Sequence, residues 1–358
     1  MKVNFDLLVS GCNTRCRHCY VNGGPGGMMT LEDALLCIEK LDMLAELLPF
    51  SVSFTLDNEP MNHPGIEAII RKAVSVKHIE YYHHGMTTGI ALMRRKDRQA
   101  VMQAYLDCGC NDFGITIHGN VFHHDEIVRR KGACRMAAEA AEYMKACGAE
   151  VGVSLMFNSF FADDAGEIDA LLKRLQPGYI YFAVPNFTPH ARMTDYEPYR
   201  ASLGTLHRLR PWLPHWRQRE DLLTQEICTV GMLREQLEQG LDITDLFRSP
   251  QDELYMTVHR NGDLFAGNTG AETECIGNLL TLDLREAAER ICRLPGNRDY
   301  GAFYDEDRLP GREEMIHALK QLPQDLLYSD RASVVYRTLA MLGIPTRICC
   351  DALSARTE

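Results

Sequence analysis

The stretch "NFDLLVSGCNTRCRHCY", residues 4–20, decides how the rest of the chain is read. Its first half is an apolar run that stops at Ser10-Gly11, the pattern of a buried strand entering a loop. Its second half places Cys12, Cys16 and Cys19 in that loop with the spacing C-x3-C-x2-C. Three thiols this close point to metal. A structural zinc normally takes four protein ligands, which would require His18 or another residue as the fourth. A 4Fe–4S cube is generally held by four cysteines, so three leave one iron open to a ligand that is not protein.

Working outward, the Gly23–Gly27 stretch leads to Thr30, a capping residue with Asp33 three positions on. Leu31, Ala34, Leu35, Ile38, Leu41, Ala45 and Leu48 then recur at helical spacing until Pro49. Strands are predicted over 51–57, 78–88, 112–119, 150–158 and 179–187. Helices are predicted between them over 65–74, about 96–107, 134–147 and 163–175. Six strands alternating with helices make right-handed βαβ units and a parallel sheet, with chemistry at the carboxyl ends of the strands. The expected fold is α/β: a partial (β/α)6 TIM-like barrel over 1–190. A C-terminal α+β cap follows over 191–358, in which Asn261-Gly262 marks a β-hairpin.

The bulk properties fit one large domain with an appendage. The chain has 358 residues, 46% of them hydrophobic, and a net charge of −11. The negative charge argues against nucleic acid or an anionic membrane as partner. No run reaches the roughly 18 apolar residues of a membrane span. "VSGC" (9–12) imitates a lipoprotein cleavage box, but the segment before it is too short for a signal peptide and Asp6 interrupts it. Thirteen scattered cysteines suit a reducing cytoplasm with some thiols bound to metal better than a disulfide framework.

The cysteine loop after the first strand resembles that of the radical S-adenosylmethionine superfamily, in which Tyr20 also has counterparts. Further segments match in order. "DNEPMNHP" (57–64) is similar to the family's "GGEP" segment with its trailing "HP", with Asp57 and Asn58 in place of the two glycines. The resemblance implies that Cys12, Cys16 and Cys19 bind a 4Fe–4S cluster and that S-adenosylmethionine binds its open iron. It places Glu59, beside Asn58, against the cofactor's amino group. "ITIHGNVFHHDEIVRRKGA" (115–133) and "VSLMFN" (153–158) are similar to later strands and loops of peptide-modifying members. They imply Thr116 near the cofactor, Arg129 on its carboxylate, and Ser154 and Asn158 on its ribose.

"MTVHRNGDLFAGNTGAETECIGNLLTLDL" (256–284) resembles part of a SPASM domain, the module that carries auxiliary clusters. Gly267 stands where that resemblance expects a cysteine, and Cys228, Cys275, Cys292, Cys349 and Cys350 do not restore the pattern. A degenerate, cluster-free cap follows as the expectation. Cys275 is a candidate hydrogen-atom donor, and His118, ending strand four, a candidate substrate contact or proton relay. Cys108 and Cys110 read as structural. His83 and His84, adjacent on a strand, face opposite ways and do not share an ion.

The expected function is reductive cleavage of S-adenosylmethionine to a 5′-deoxyadenosyl radical. That radical takes hydrogen from a C–H bond of a peptide or small natural product, leading to crosslinking, dehydrogenation or epimerisation. An electron donor such as flavodoxin or ferredoxin is implied. The chain begins almost at strand one, which disfavours an N-terminal peptide-recognition or cobalamin domain. The alternative is a non-catalytic iron–sulfur or zinc module that senses redox state.

Overall fold

The structure is a computed structural model that describes residues 2–188, 194–216, 227–242, 253–294, 304 and 308–346. Its first strand, β1 (Lys2–Leu7), pairs in parallel with β2 (Ser51–Leu56), in register from Lys2 opposite Ser51 to Leu7 opposite Leu56. Helix α1 (Leu31–Leu47) makes the crossover. Thr30 caps it as expected, its side chain accepting from the Asp33 N–H at 3.1 Å. Helix α2 (Ile66–Ala73) follows β2 and buries Ile66, Ile69, Ile70 and Ala73.

The third barrel strand departs from the sequence reading. Instead of one strand over 78–88 there are two short pieces, β3 (Glu80–Tyr81) and β4 (Met86–Thr87). Strand β3 pairs with β2, while β4 pairs with β5 (Asp112–Ile117). The chain breaks step at Gly85, whose φ of +69° a side chain would resist. A Cβ there would lie 2.4 Å from the Asp112 carbonyl oxygen. The barrel wall is therefore two sheets. Helices α3 (Ile90–Arg94) and α4 (Arg98–Asp107) lead to β5. Helices α5 (Val121–Val128) and α6 (Ala133–Ala146) lead on to β6 (Glu150–Met156). Helix α7 (Phe161–Leu175) precedes β7 (Ile180–Ala183). Strands β4-β5-β6-β7 form one parallel sheet. The six strand positions of a partial (β/α)6 barrel are thus present.

After a two-stranded ladder of β8 (Cys228–Thr229) with a strand far down the chain, the expected hairpin appears as β9 (Glu253–Val258) and β10 (Asp263–Ala266). It is continuous with the barrel. Strand β9 pairs in parallel with β1, Lys2 opposite Glu253 through Leu7 opposite Val258, and β10 pairs with β11 (Glu274–Asn278). The first sheet runs β11-β10-β9-β1-β2-β3. Without β9, the outer edge of β1 would leave its ladder groups unpaired. The last strand, β12 (Leu327–Tyr328), completes the ladder with β8.

Two cores result. The larger joins Val3, Phe5 and Leu7 of β1 to Ile38 and Leu41 of α1, Ile69 of α2, Ile115 of β5 and Val153 of β6. The smaller gathers Val230, Leu233, Met315, Leu319, Val334 and Tyr336, largely from helices at Val230–Glu238, Arg312–Leu319 and Arg331–Met341. Arg200 ties the second unit to the end of the barrel. Its side chain is fully buried, and Nη1 donates to the carbonyls of Pro185 (2.7 Å) and Leu327 (3.1 Å). Nε donates to Glu197 at 2.9 Å, and the guanidinium lies 3.9 Å over the Tyr328 ring. No helix among the described residues is long and apolar enough to cross a membrane.

Arg200→Ala removes a buried charge partner and leaves carbonyls and Glu197 without their donor. Urea unfolding is expected to register a loss of about 3 kcal/mol. Arg200→Lys recovers only part of it, because an ammonium cannot reproduce the planar fork over Tyr328.

Candidate active site

The cysteine loop leaves β1 and returns to α1, closed at its neck by the Ser10–Met28 bridge and by the Met29 N–H on the Val9 carbonyl at 3.0 Å. Ser10 Oγ donates to the Glu59 carbonyl at 2.7 Å and Asn62 Nδ2 to the Gly11 carbonyl at 2.7 Å, binding the loop to the end of β2. Its other flank rests on the last turn of α5. The N–H groups of Arg15 and Arg17 donate to the carbonyls of Val128 (3.3 Å) and Ile127 (2.9 Å). Helix α5 was read from sequence as loop; its signal is Asn120, which accepts from the N–H groups of Phe122 and His123 at 3.0 and 3.1 Å. A helix end with free carbonyls is what receives these N–H groups.

Within the loop, Thr14 Oγ1 lies 3.3 Å from both Cys12 Sγ and Cys16 Sγ, and the Gly23 N–H donates to Cys19 Sγ at 3.1 Å. Gly23 sits in a cradle. A Cβ there would be 2.8 Å from Asn58 Oδ1, 3.4 Å from Cys19 Sγ and 3.5 Å from the Cys12 Cβ. Asn58 holds φ at +65°, a conformation Asn adopts more readily than other side-chain-bearing residues. This explains how Asn stands where the family pattern has glycine. Its Oδ1 is buried without a hydrogen-bond partner. The thiols are pushed up: Cys12 to about 12 by burial and then by the Glu59 carboxylate, Cys16 well above its ordinary value by burial and then by Cys19. A cation would reverse that balance, so loading the loop releases protons.

The residues present fit a 4Fe–4S cluster. Three thiols share one loop, a cradle beside them excludes any side chain, and a buried amide oxygen at its edge awaits a donor. No three His, Cys, Asp or Glu side chains among the described residues converge on a single ion, the arrangement zinc would require. A cube asks only one thiolate per iron. His18 does not join the cysteines. Its ring packs against His118 (4.6 Å between centroids) and Tyr196 (5.8 Å).

The loop roofs a cavity of about 720 Å³ inside the barrel. The three cysteines, Asn58, Thr116, His118 and Ser154 all line it. Thr116 and Ser154 are opposite each other in the β5–β6 ladder. Four other expected residues lie elsewhere. Glu59 is fully buried and borders a separate 20 Å³ pocket. Its Oε1 accepts from Thr87 Oγ1 at 2.8 Å, and its Oε2 from the N–H (2.8 Å) and Oγ1 (2.6 Å) of Thr88. Burial pushes its carboxyl up, opposed by these bonds.

Asn158 is also fully buried. Its Nδ2 donates to the carbonyls of His118 (2.7 Å) and Met156 (3.1 Å) and its Oδ1 accepts from the Phe160 N–H, so it braces strand ends rather than facing the cavity. Arg129 caps α5 with φ +55° and turns its guanidinium to Asp195. Cys275 is exposed on β11, at the far edge of the first sheet from β3.

The cavity wall also holds Asp57, Thr88, His18 and His124, to which the sequence reading gave no place in a cavity. His18, His118 and His124 form a row, the last pair 5.1 Å apart. Burial holds all three neutral, His18 and His124 lowered to about 4 and His118 well below its ordinary value. The His118 backbone is pinned on both sides, its carbonyl by Asn158 and its N–H by His124 Nδ1 at 3.3 Å. Its own Nδ1 is buried without a partner. A neutral imidazole so fixed can accept or donate a hydrogen bond to whatever fills the cavity.

Residues 7–174 match the Radical SAM superfamily and form a radical SAM domain. The superfamily's cofactors are a 4Fe–4S cluster and S-adenosylmethionine. Among solved structures, native anSMEcpe with bound AdoMet and Cp18Cys peptide superposes with a TM-score of 0.52 at 15% identity, covering 81% of this chain and 80% of that one. Streptococcus suis SuiB bound to S-adenosylmethionine gives 0.55 at 13% identity, covering 92% and 76%. SuiB bound to precursor peptide SuiA gives 0.54 at 12%, covering 92% and 75%. These likenesses are of fold. No curated protein matches the chain.

Under the cluster loop, Asp6 lies beside Asp57. Burial, and then the Asp57 charge, push its carboxyl up to about 7, although Thr269 Oγ1 donates to it at 3.0 Å. A raised carboxyl binds its proton more tightly folded than unfolded, so its stabilising contribution is complete below the unfolded value of 3.8 and is lost as pH rises to about 7. In metal-free protein, Asp6→Asn is expected to remove this decline in urea midpoint between those limits while leaving acid stability close to wild type.

Proposed function

We propose that this radical SAM enzyme acts on a C–H bond of a peptide or small natural product held in the barrel cavity. The observation that carries the proposal is the meeting, at the carboxyl ends of the strands, of a three-thiol loop and a cavity of about 720 Å³. Cys12, Cys16 and Cys19 would hold the cluster. When bound, the cluster supplies one electron that breaks a carbon–sulfur bond of S-adenosylmethionine, giving methionine and a 5′-deoxyadenosyl radical.

The chain's own residues bind and orient. Asp57 and Asn58, at the end of β2, offer a carboxylate and an amide oxygen to the cofactor's ammonium. Thr116 and Ser154 offer hydroxyls from neighbouring strands. Glu59 acts through Thr87 and Thr88 in shaping this edge, and Asn158 by holding His118. Arg129, paired with Asp195, and Cys275, exposed on β11, lie outside the cavity lining and are assigned no part in binding. His118 contacts the substrate. The wall beside Thr116 and Ser154 is apolar, with Met86, Met156, Ile180 and Tyr181, which suits a side chain or small molecule and excludes water from a reactive intermediate.

The peptide reading is supported by the two neighbours with bound peptides. Gly267 and the dispersed cysteines favour a C-terminal region that serves as a substrate wall without an auxiliary cluster. An external one-electron donor of the flavodoxin or ferredoxin kind and a cytoplasmic setting complete the proposal.

Protein reconstituted without oxygen and supplied with dithionite is expected to turn S-adenosylmethionine into 5′-deoxyadenosine and methionine. Cys16→Ala should abolish this. His118→Phe should leave slow, uncoupled cleavage intact while weakening substrate turnover roughly a hundredfold or more. A wild-type protein that binds the cofactor and makes no 5′-deoxyadenosine would return the chain to the sensor class.

A further inference from the structure

The hairpin and the loop after it touch the cysteine loop on both limbs. Where the two limbs come together at the neck, Arg260 in the hairpin turn sends Nη1 to the Gly27 carbonyl of the exit limb at 2.9 Å. A Cβ on Gly11 would lie 3.0 Å from that nitrogen, and one on Gly26 only 2.2 Å, so the guanidinium occupies space that two glycines leave open. Immediately after Cys19, Gly270 (φ +98°) packs where a Cβ would be 2.3 Å from the Tyr20 carbonyl oxygen and 3.0 Å from the Val21 Cα. Thr269 reaches Asp6 at the root of the loop. These contacts join residues immediately before Cys12 and immediately after Cys19 to one short segment some 250 positions later.

That segment is itself locked from within. His259 Nε2 and Glu272 Oε1 are 2.9 Å apart with side chains 2% and 0% exposed, and the same oxygen accepts from the Gly270 N–H at 3.1 Å. Thr257 Oγ1 donates to the Gly267 carbonyl at 2.9 Å. A fully buried imidazole–carboxylate pair is costly to desolvate and adds little net stability, so its value lies in fixing one arrangement. Here it fixes the turn that presents Gly270 to Tyr20.

We infer that residues 257–272 clamp the cysteine loop in its metal-binding shape, with His259 and Glu272 as positioning residues and Arg260 and Gly270 as the two jaws. The inference rests on the assignment of the cluster to that loop. It gives the C-terminal hairpin a task in retaining the cofactor, apart from any contact with substrate.

The test uses the full chain, wild type and the variants Glu272→Gln, Gly270→Ala and Arg260→Ala. In reconstituted protein, iron loss to excess EDTA is followed through the cluster's visible absorption. In metal-free protein, alkylation of Cys12, Cys16 and Cys19 is mapped by mass spectrometry, with Cys147 at the C-terminal cap of α6 as internal reference. The variants are expected to lose iron roughly tenfold faster and to expose the three loop thiols, with Cys147 unchanged. Should Gly270→Ala fail to fold, Arg260→Ala carries the test, because its side chain leaves the buried pair intact. Folded variants with wild-type iron loss and wild-type alkylation overturn the clamp. A wild-type chain that takes up no iron and sulfide overturns the cluster assignment instead, and alkylation of the metal-free protein then still decides whether the clamp exists.

Discussion

Beside the hydrophobic core that the two halves of this barrel share, one buried carboxylate ties their strand ends together. Among the described residues, the sheet containing β1 and β2 shares no backbone ladder with the sheet containing β4 and β5. Across the gap, Glu59 at the end of β2 receives three hydrogen bonds from Thr87 and Thr88 at the end of β4. The same residue's carbonyl receives Ser10 at the root of the cysteine loop. Three parts of the site, two wall segments and the roof, are thereby set relative to one another by a single residue with no exposed surface. Charge-assisted bonds in a low-dielectric interior are strong enough for that task.

Everything the site does follows from how the loop is suspended. It leans on carbonyls at the end of α5, on Glu59 and Asn62 after β2, and on the hairpin from the far end of the chain. None of these supports is itself a metal ligand. Three thiols would otherwise sit on a glycine-rich segment with wide conformational freedom, and ordering it would consume much of the free energy of metal binding. Preorganisation by neighbours transfers that cost to folding.

Much of this was legible in the sequence, and the exceptions have physical reasons. Cysteine spacing, the six strand positions, the Thr30 cap and the Asn-Gly hairpin are local signals, and the structure contains each of them. The break in the third strand was not legible, since "HIEYYHHGMTT" has unbroken strand character and only the contact of Gly85 with Asp112 divides it. Pairing of β9 with β1 is a long-range event that no local pattern encodes. Among candidate site residues, those on strands with a period of two, Thr116 and Ser154, fall on the cavity. Asn158 and Arg129 lie just past element ends, where the chain turns and periodicity no longer predicts direction. Glu59 was read as a ligand because a carboxylate there could pair with an ammonium, but the two threonines that engage it come from another strand. His18 was read only as a possible fourth zinc ligand and His124 was given no role in the site, because a neutral histidine row has no spacing rule.

The measurement that tests the account most directly is electron paramagnetic resonance of the reduced, anaerobically reconstituted protein, with and without S-adenosylmethionine, alongside its iron content. The account predicts about four irons per chain and the signal of a reduced cubane, changed when the cofactor is added because it takes the position the three cysteines leave open. A signal indifferent to S-adenosylmethionine, or a protein that holds zinc and little iron, would contradict it.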